Sequence, residues 1–385
     1  MRHGDESGPV GRGGRGGASR PRGGLGVAGS DDGPVVDRAE VGASGWLSLM
    51  VWGVVGVVTL GIAWLAANSD PPKTQHVERL CRGRASWRSL AFDSTGSYLV
   101  GADSDGGLHR FDLESGRVDH WVHGRGPRNN SVVISPDDST VACADHRGVI
   151  SLYDATTGRV RSRIEVSGLG RIADGEGRSP VLALAYASEG RTLVSGSADG
   201  VVRLWDAIDG HLQAQLAGHT AAVTHLSIGS KGRILGSASL DGTAKIWDRA
   251  EGRCLKTFSK PGSRIHALAL SPDEQILALS LGAYRGKLHG EVFLVGLGPD
   301  PRPDRSLGEA AYDELAFSPD GLTLISAGRD KVVRLFDVAG GQIRTTLGGH
   351  EGYISCIAVS PDGRKVATGG EDRLLGLVNL PTTTF

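Results

Sequence analysis

Four cysteines, Cys81, Cys143, Cys254 and Cys356, are the only thiols of the chain, and their spacing limits their chemistry. No two form a CxxC pair and the four are scattered far apart, so they read as small hydrophobes and not as a zinc site. His109, Asp103 and Asp145 fall near the ends of predicted strands, where carboxylates and an imidazole could serve acid–base chemistry around a central channel. The chain contains no GxxxxGKS/T, GxSxG or HExxH segment and no acidic metal loop, so these three residues read as solvated surface charge. The run from Gly11 to Gly17, GRGGRGG, satisfies GxGxxG and resembles the arginine-glycine segments of RNA-binding tails. A dinucleotide site needs a preceding strand and a following helix, and neither is predicted there, so the run reads as flexible tail. The expectation is a protein with no catalytic residue, no cofactor and no metal.

What would position any functional side chain is the rest of the chain. Its 42 basic and 43 acidic side chains nearly cancel, which removes a whole-molecule field for nucleic acid; no nucleic-acid partner is expected. Residues 1–45 are rich in glycine and arginine with little to bury, and are predicted to be a disordered tail. Residues 46–67 carry 22 positions without a charge. As a helix they would span about 33 Å against a hydrocarbon core of about 30 Å, so a single transmembrane helix is predicted. Trp46 and Trp64 stand near its ends, and Asn68 to Pro72 stop it. Six arginines precede the span, whereas Lys73, Arg79, Arg82, Arg84 and Arg88 follow it. The orientation favoured is a single-pass protein with its C-terminal part outside the cytoplasm. Met50 is the only other methionine, so an internal start that omits the tail is an open alternative.

Beyond Lys73 the sequence repeats. Turn segments end at Gly96, Asp138, Gly190, Gly232, Glu274, Gly321 and Gly363, at separations of 42, 52, 42, 42, 47 and 42 residues. Four short strands with their turns need roughly 40 to 45 residues, so seven four-stranded units are predicted. Apolar alternation flanks each turn, as in Leu315-Ala316-Phe317 before and Leu324-Ile325-Ser326 after, which is the pattern of a hairpin. Five units close their third strand with an aromatic-Asp pair, among them Trp205-Asp206, Trp247-Asp248 and Phe336-Asp337.

With its Gly218-His219 and Gly349-His350 dipeptides, Ser-Pro-Asp turns and terminal Trp-Asp pairs, the chain resembles the WD40-repeat family from about Lys73 onward, in a bacterial-type, single-pass membrane-anchored form. The fold implied is all-β: a seven-bladed WD40 β-propeller at 73–385, monomeric, preceded by the disordered tail and the transmembrane helix. The resemblance also implies a hydrogen-bonded histidine, serine or threonine, aspartate and tryptophan inside a blade. His219, Ser237, Asp241 and Trp247 match all four places, as a structural tetrad. The third unit has Ser195, Asp199 and Trp205 with Gly177 in the histidine's place. The seventh has His350, Thr368 and Asp372 with Val378 for the tryptophan, and the second has Arg147 in place of the aspartate. Incomplete blades are expected to lean on apolar packing. The segment 73–80 aligns with fourth strands and is expected to close the seventh blade, whose own sequence supplies three.

A fold of this kind says little about function. Extra length falls in two places that antiparallel topology sends to one end of the ring: Ser167 to Ser179, and about Gly282 to Gly290. These loops carry Arg171, Asp174 and Arg178 on one side and Tyr284, Arg285, Lys287 and His289 on the other, types that anchor interfaces. The function expected is a membrane-anchored protein–protein interaction scaffold with an unidentified protein partner. The alternative is an extracytoplasmic propeller enzyme or small-ligand sensor using the central channel.

Overall fold

A computed structural model of the chain describes residues 73–167, 177–261, 263–283, 290–298, 304–310 and 314–380. The tail and the apolar run 46–67 lie outside these residues. Among the described residues no helix is long and apolar enough to cross a membrane.

Among the described residues twenty-nine strands make seven sheets. The fourth blade illustrates the rule, with strands Val223–Ile228, Ile234–Ser239, Thr243–Asp248 and Arg253–Ser259 paired antiparallel in chain order. The second strand, ILGSAS, is buried along its whole length, because sheets stack on both of its faces and small residues let them approach. The fourth, RCLKTFS, is almost wholly exposed and correspondingly polar. Innermost strands Trp87–Phe92, Asn129–Ile134, Val181–Tyr186, Val223–Ile228, Ser263–Leu270, Glu314–Phe317 and Ile354–Val359 each pack on the next, and the last packs on the first. The ring is therefore closed. Its core is a set of slabs between blades; one of them joins Trp87, Leu99 and Phe111 of the first blade to Cys356, Ala367 and Leu375 of the seventh.

Seven first-to-second turns repeat one geometry. Their last residue takes a positive φ, which glycine adopts without steric cost at five of them. Asp138 and Glu274 take it at the other two, with φ of 57° and 62°. Both side chains are engaged: the Asp138 carboxylate accepts from the Ser94 amide at 2.8 Å, and Glu274 accepts from the Lys231 amide at 3.2 Å. Each bond ties a turn to that of the preceding blade and offsets the strain of a non-glycine there.

Closure differs from the expectation in one respect. Glu78–Arg82 pairs antiparallel with Leu374–Asn379 and covers the outer edge of the seventh blade. Lys73–His76 instead runs parallel to Ile343–Gly348 as a fifth strand on the sixth blade. The physical reason is Val77, which turns between the two sheets and is buried among Ile325, Val333, Leu347, Val366 and Val378. Gly376 makes the room, since a Cβ there would stand 1.9 Å from a Val77 methyl. One ten-residue stretch thus joins two blades where the sequence alone suggested a single strand on one.

Candidate functional site

Polar side chains inside the blades are the first candidates. In the fourth blade the Trp247 Nε1–H donates to Ser237 Oγ at 2.8 Å, Ser237 Oγ lies 2.8 Å from His219 Nε2, and His219 Nδ1 lies 3.0 Å from Asp241. Asp241 also accepts from the amides of Thr220 and Thr243. A serine hydroxyl donating to Nε2 requires a neutral imidazole that donates through Nδ1, so the chain of bonds fixes one tautomer. Burial depresses the His219 pKa in spite of Asp241. Burial raises Asp241, but the bonds from Thr243, the Thr220 amide and His219 outweigh it and hold the pKa at about 2. Each group therefore binds its proton more weakly in the folded chain than in the unfolded one, and stability is lost as pH falls. The loss begins below about 6.5, where an unfolded histidine takes up its proton, and continues between about 4 and 2. Thermal melts across this range should show both steps, with a His219→Gln variant melting lower at neutral pH and flatter between about 7 and 5. A parent protein whose melting temperature is level from about 7 to 5 would contradict the assignment.

The seventh blade keeps the same inner bonds, with His350 Nε2 2.8 Å from Thr368 Oγ1 and His350 Nδ1 3.1 Å from Asp372. The third blade departs from the expectation that incomplete blades lean on apolar packing. Trp205 donates to Ser195 Oγ at 2.8 Å, and the missing histidine is replaced by Arg203, whose guanidinium grips Asp199 at 2.7 and 3.1 Å and donates to the Ser167 carbonyl. This ion pair is almost fully shut from water, with side-chain exposures of 2% and 0%. Arg334 pairs with Asp330 in the same way in the sixth blade. In the first blade the equivalent residue, His109, pairs with Asp103 at 3.0 Å and meets His120 across 2.7 Å between Nδ1 atoms. Asp103 is 6% exposed, so Asp103 and His109 are not the solvated surface charges the sequence suggested. Asp145 caps its own turn by accepting from the amides of Arg147 and Val149. The signal that sequence reading missed is a basic residue two positions before the closing aromatic: His109, Arg203, Lys245 and Arg334.

The thiols fit the apolar reading in two cases. Cys143 and Cys356 are buried and burial pushes both pKa values up, while Cys81 is raised to about 11 by the same cause. Cys254 is exposed, and all four are free. Among the described residues no three histidine, cysteine or acidic side chains converge to hold a metal ion.

The second candidate is the end of the ring where the fourth strands hand over to the next blade. There the central channel opens into a cavity of about 450 Å³, lined by Arg88, His225, His266, Glu314, Tyr353 and Glu371 among others. His225 and Glu314 meet at 3.5 Å across it. Arg178 stands at this end, paired with Ser167 by a single bridge and 3.8 Å from Glu165. Arg171, Asp174, Tyr284, Arg285, Lys287 and His289 lie outside the described residues. The strands that lead into their loops, ending at Glu165 and Ala283, point to that same end.

Comparison with known proteins agrees with the fold. Residues 77–303 match the β-propeller family model described as Nucleolar protein 10-like, N-terminal domain, and residues 314–337 and 341–377 match the model described as WD domain, G-beta repeat. WD repeat-containing protein SL1-17 of Schistosoma mansoni is 27% identical over 139 residues, 36% of this chain and 42% of that protein. Nuclear distribution protein PAC1 of Coccidioides posadasii is 28% identical over 205 residues, 52% of this chain and 35% of that protein. Small ribosomal subunit protein RACK1 of Caenorhabditis elegans is 41% identical over 58 residues, 14% of this chain and 18% of that protein. The chain spans less than half the length of each of these relatives. With the first model covering more than half of its residues and the repeat model falling on the last two units, the chain belongs to the WD40-repeat family of β-propellers.

Proposed function

We propose that the ring is a scaffold for protein partners, held at a membrane by residues 46–67 with the propeller outside the cytoplasm, and that partners dock at the end to which topology assigns the insertions Ser167 to Ser179 and about Gly282 to Gly290. The observation that carries this is the coincidence at one end of three features: both places where the repeat gains length, and the wide mouth of the channel. Loops that vary in length on a rigid ring are where binding residues can be placed without disturbing the core. The uncharged run of 22 residues supports the membrane part.

The test replaces both segments with short glycine turns in the full chain. The ring should melt within about 1 °C of the parent, because surface loops contribute little to stability. Co-purifying proteins should be lost, and the chain should stay in the carbonate-washed membrane fraction unless residues 46–67 are deleted. Retention of every partner after loop replacement would defeat the docking assignment.

A further inference from the structure

We propose that one sector of this same end, spanning the seventh, first and second blades, is a docking surface for an acidic polypeptide segment. The proposal rests on the scaffold reading and narrows it to a partner chemistry. Six exposed arginines stand there: Arg82, Arg84, Arg125, Arg128, Arg147 and Arg373. Each occupies the end of a fourth strand, the loop after it, or a second-to-third turn, and these are the positions that topology sends to the channel-mouth end. None pairs with a carboxylate among the described residues, although arginines elsewhere do, including Arg161, Arg191, Arg249 and Arg344.

The six are held on one continuous strip of backbone. Gly83 donates to the Arg373 carbonyl, Ser104 to Ser86, Gly126 to Asp105, and His146 to Arg128, all within 3.2 Å. Loops of three successive blades are thereby tied edge to edge, and the cations they carry cannot drift apart independently. Local acids are mostly turned inward. Asp103 is engaged by His109, Asp145 by its own turn, and Asp372 by His350 and the Glu351 amide; of the exposed carboxylates at this end, Glu351 faces Arg79 and Glu165 faces Arg178, which leaves Asp105 and Glu371 beside the six arginines. Crowding by cation is visible at His120, whose pKa is lowered by partial burial and then by His109, His123 and Arg84.

Unpaired guanidinium groups carried on a tied strip of backbone are a surface prepared for anions, since each presents a planar fork that matches a carboxylate. A single-stranded nucleic acid would also need a run of exposed rings on which to stack bases. Trp87 is buried beneath this sector, and among the described residues Tyr353, at the channel mouth, is the one exposed Phe, Tyr or Trp beside it; the other exposed rings there are the smaller imidazoles of His123 and His146. One exposed tyrosine next to a belt of arginines suits a polypeptide that lays acidic residues along the strip and a single apolar side chain at the mouth.

The experiment uses the full chain in nonionic detergent and a fluorescein-labelled peptide of alternating Glu and Asp, read by anisotropy against its Gln and Asn counterpart. Binding should be seen for the acidic peptide alone and should weaken steeply between about 50 and 200 mM salt. The Arg82→Gln, Arg84→Gln, Arg373→Gln triple variant should bind about tenfold more weakly with an unchanged melt, since no ion pair is lost. The Arg233→Gln, Arg253→Gln double variant, at the opposite end, should bind as the parent does. Equal loss in both variants, or no binding of the acidic peptide, overturns the proposal. So does tighter binding of a single-stranded oligonucleotide or of anionic vesicles. Failure here, together with loss of partners on loop replacement, would discard the charge assignment and leave the scaffold reading standing.

Discussion

Excision of Lys73–Arg82 should lower the melting temperature by about 10 °C and increase self-association of the ring. The excision unpairs the outer edge of the seventh blade along Leu374–Asn379 and strips Lys73–His76 from the sixth. It also uncovers the pocket filled by Val77, and Leu80 and Cys81 no longer cover the slab around Trp87 and Leu375. Losing a buried valine costs about 1.5 to 3 kcal/mol, and the lost ladder adds about 1 kcal/mol for each pair of bonds, so the sum is roughly 5 kcal/mol. A bare strand edge is then a template for another copy. Differential scanning calorimetry and size-exclusion chromatography read the two effects, and a synthetic 73–82 peptide added in trans should reverse both. A shortened chain that melts within about 2 °C of the parent would mean that the blades hold the ring without this stretch.

The second large effect is expected at Arg203. Replacing it with leucine leaves the Asp199 carboxylate in a site with no access to water, and breaking such a pair from one side typically costs about 3 to 5 kcal/mol. Adding Asp199→Asn to that variant removes the stranded charge and should recover at least half of the loss, even though the Val201 amide loses a charged acceptor. Arg334→Leu in the sixth blade should cost clearly less, because water reaches that pair: its side chains are 20% and 25% exposed. Urea titration of the four proteins decides the matter. If the single and double variants at the third blade were equally unstable, the cost would come from lost packing of the long arginine stem and not from an uncompensated charge.

These two sites also mark where the sequence stopped being informative. The count of seven was legible because each unit must repeat a turn whose last residue tolerates a positive φ, and such residues recur close to every 42 positions. The fourth blade's polar chain was legible because His219, Ser237, Asp241 and Trp247 sit at the spacings that the family resemblance assigns to them. The third blade's was not, because the cation that replaces its histidine arrives from a different strand: Arg203 reaches Asp199 from the third strand, whereas His219 reaches Asp241 from the connection before the first. The same limit applies to closure. Strand pattern showed that the stretch 73–80 was extended, but which sheet edge each half would take depended on the gap above Gly376, a property of the packed ring. The candidate site was legible only as topology. Repeat lengths sort the loops to one end, whereas the belt of unpaired arginines comes from turns distant in sequence that blade geometry brings side by side.

The parallel pairing of Lys73–His76 with Ile343–Gly348 has a mechanical consequence. Both strands run toward the channel-mouth end, so tension between residue 73 and a partner held at that end is directed along the strands. The four residue pairs are then sheared together and do not peel one by one, and Val77 must be dragged from its pocket before the next strand feels the load. A tether attached in this way resists a pull at the rate of a concerted rupture, so the lifetime of the ring under force is set by a kinetic barrier and not by its resting stability.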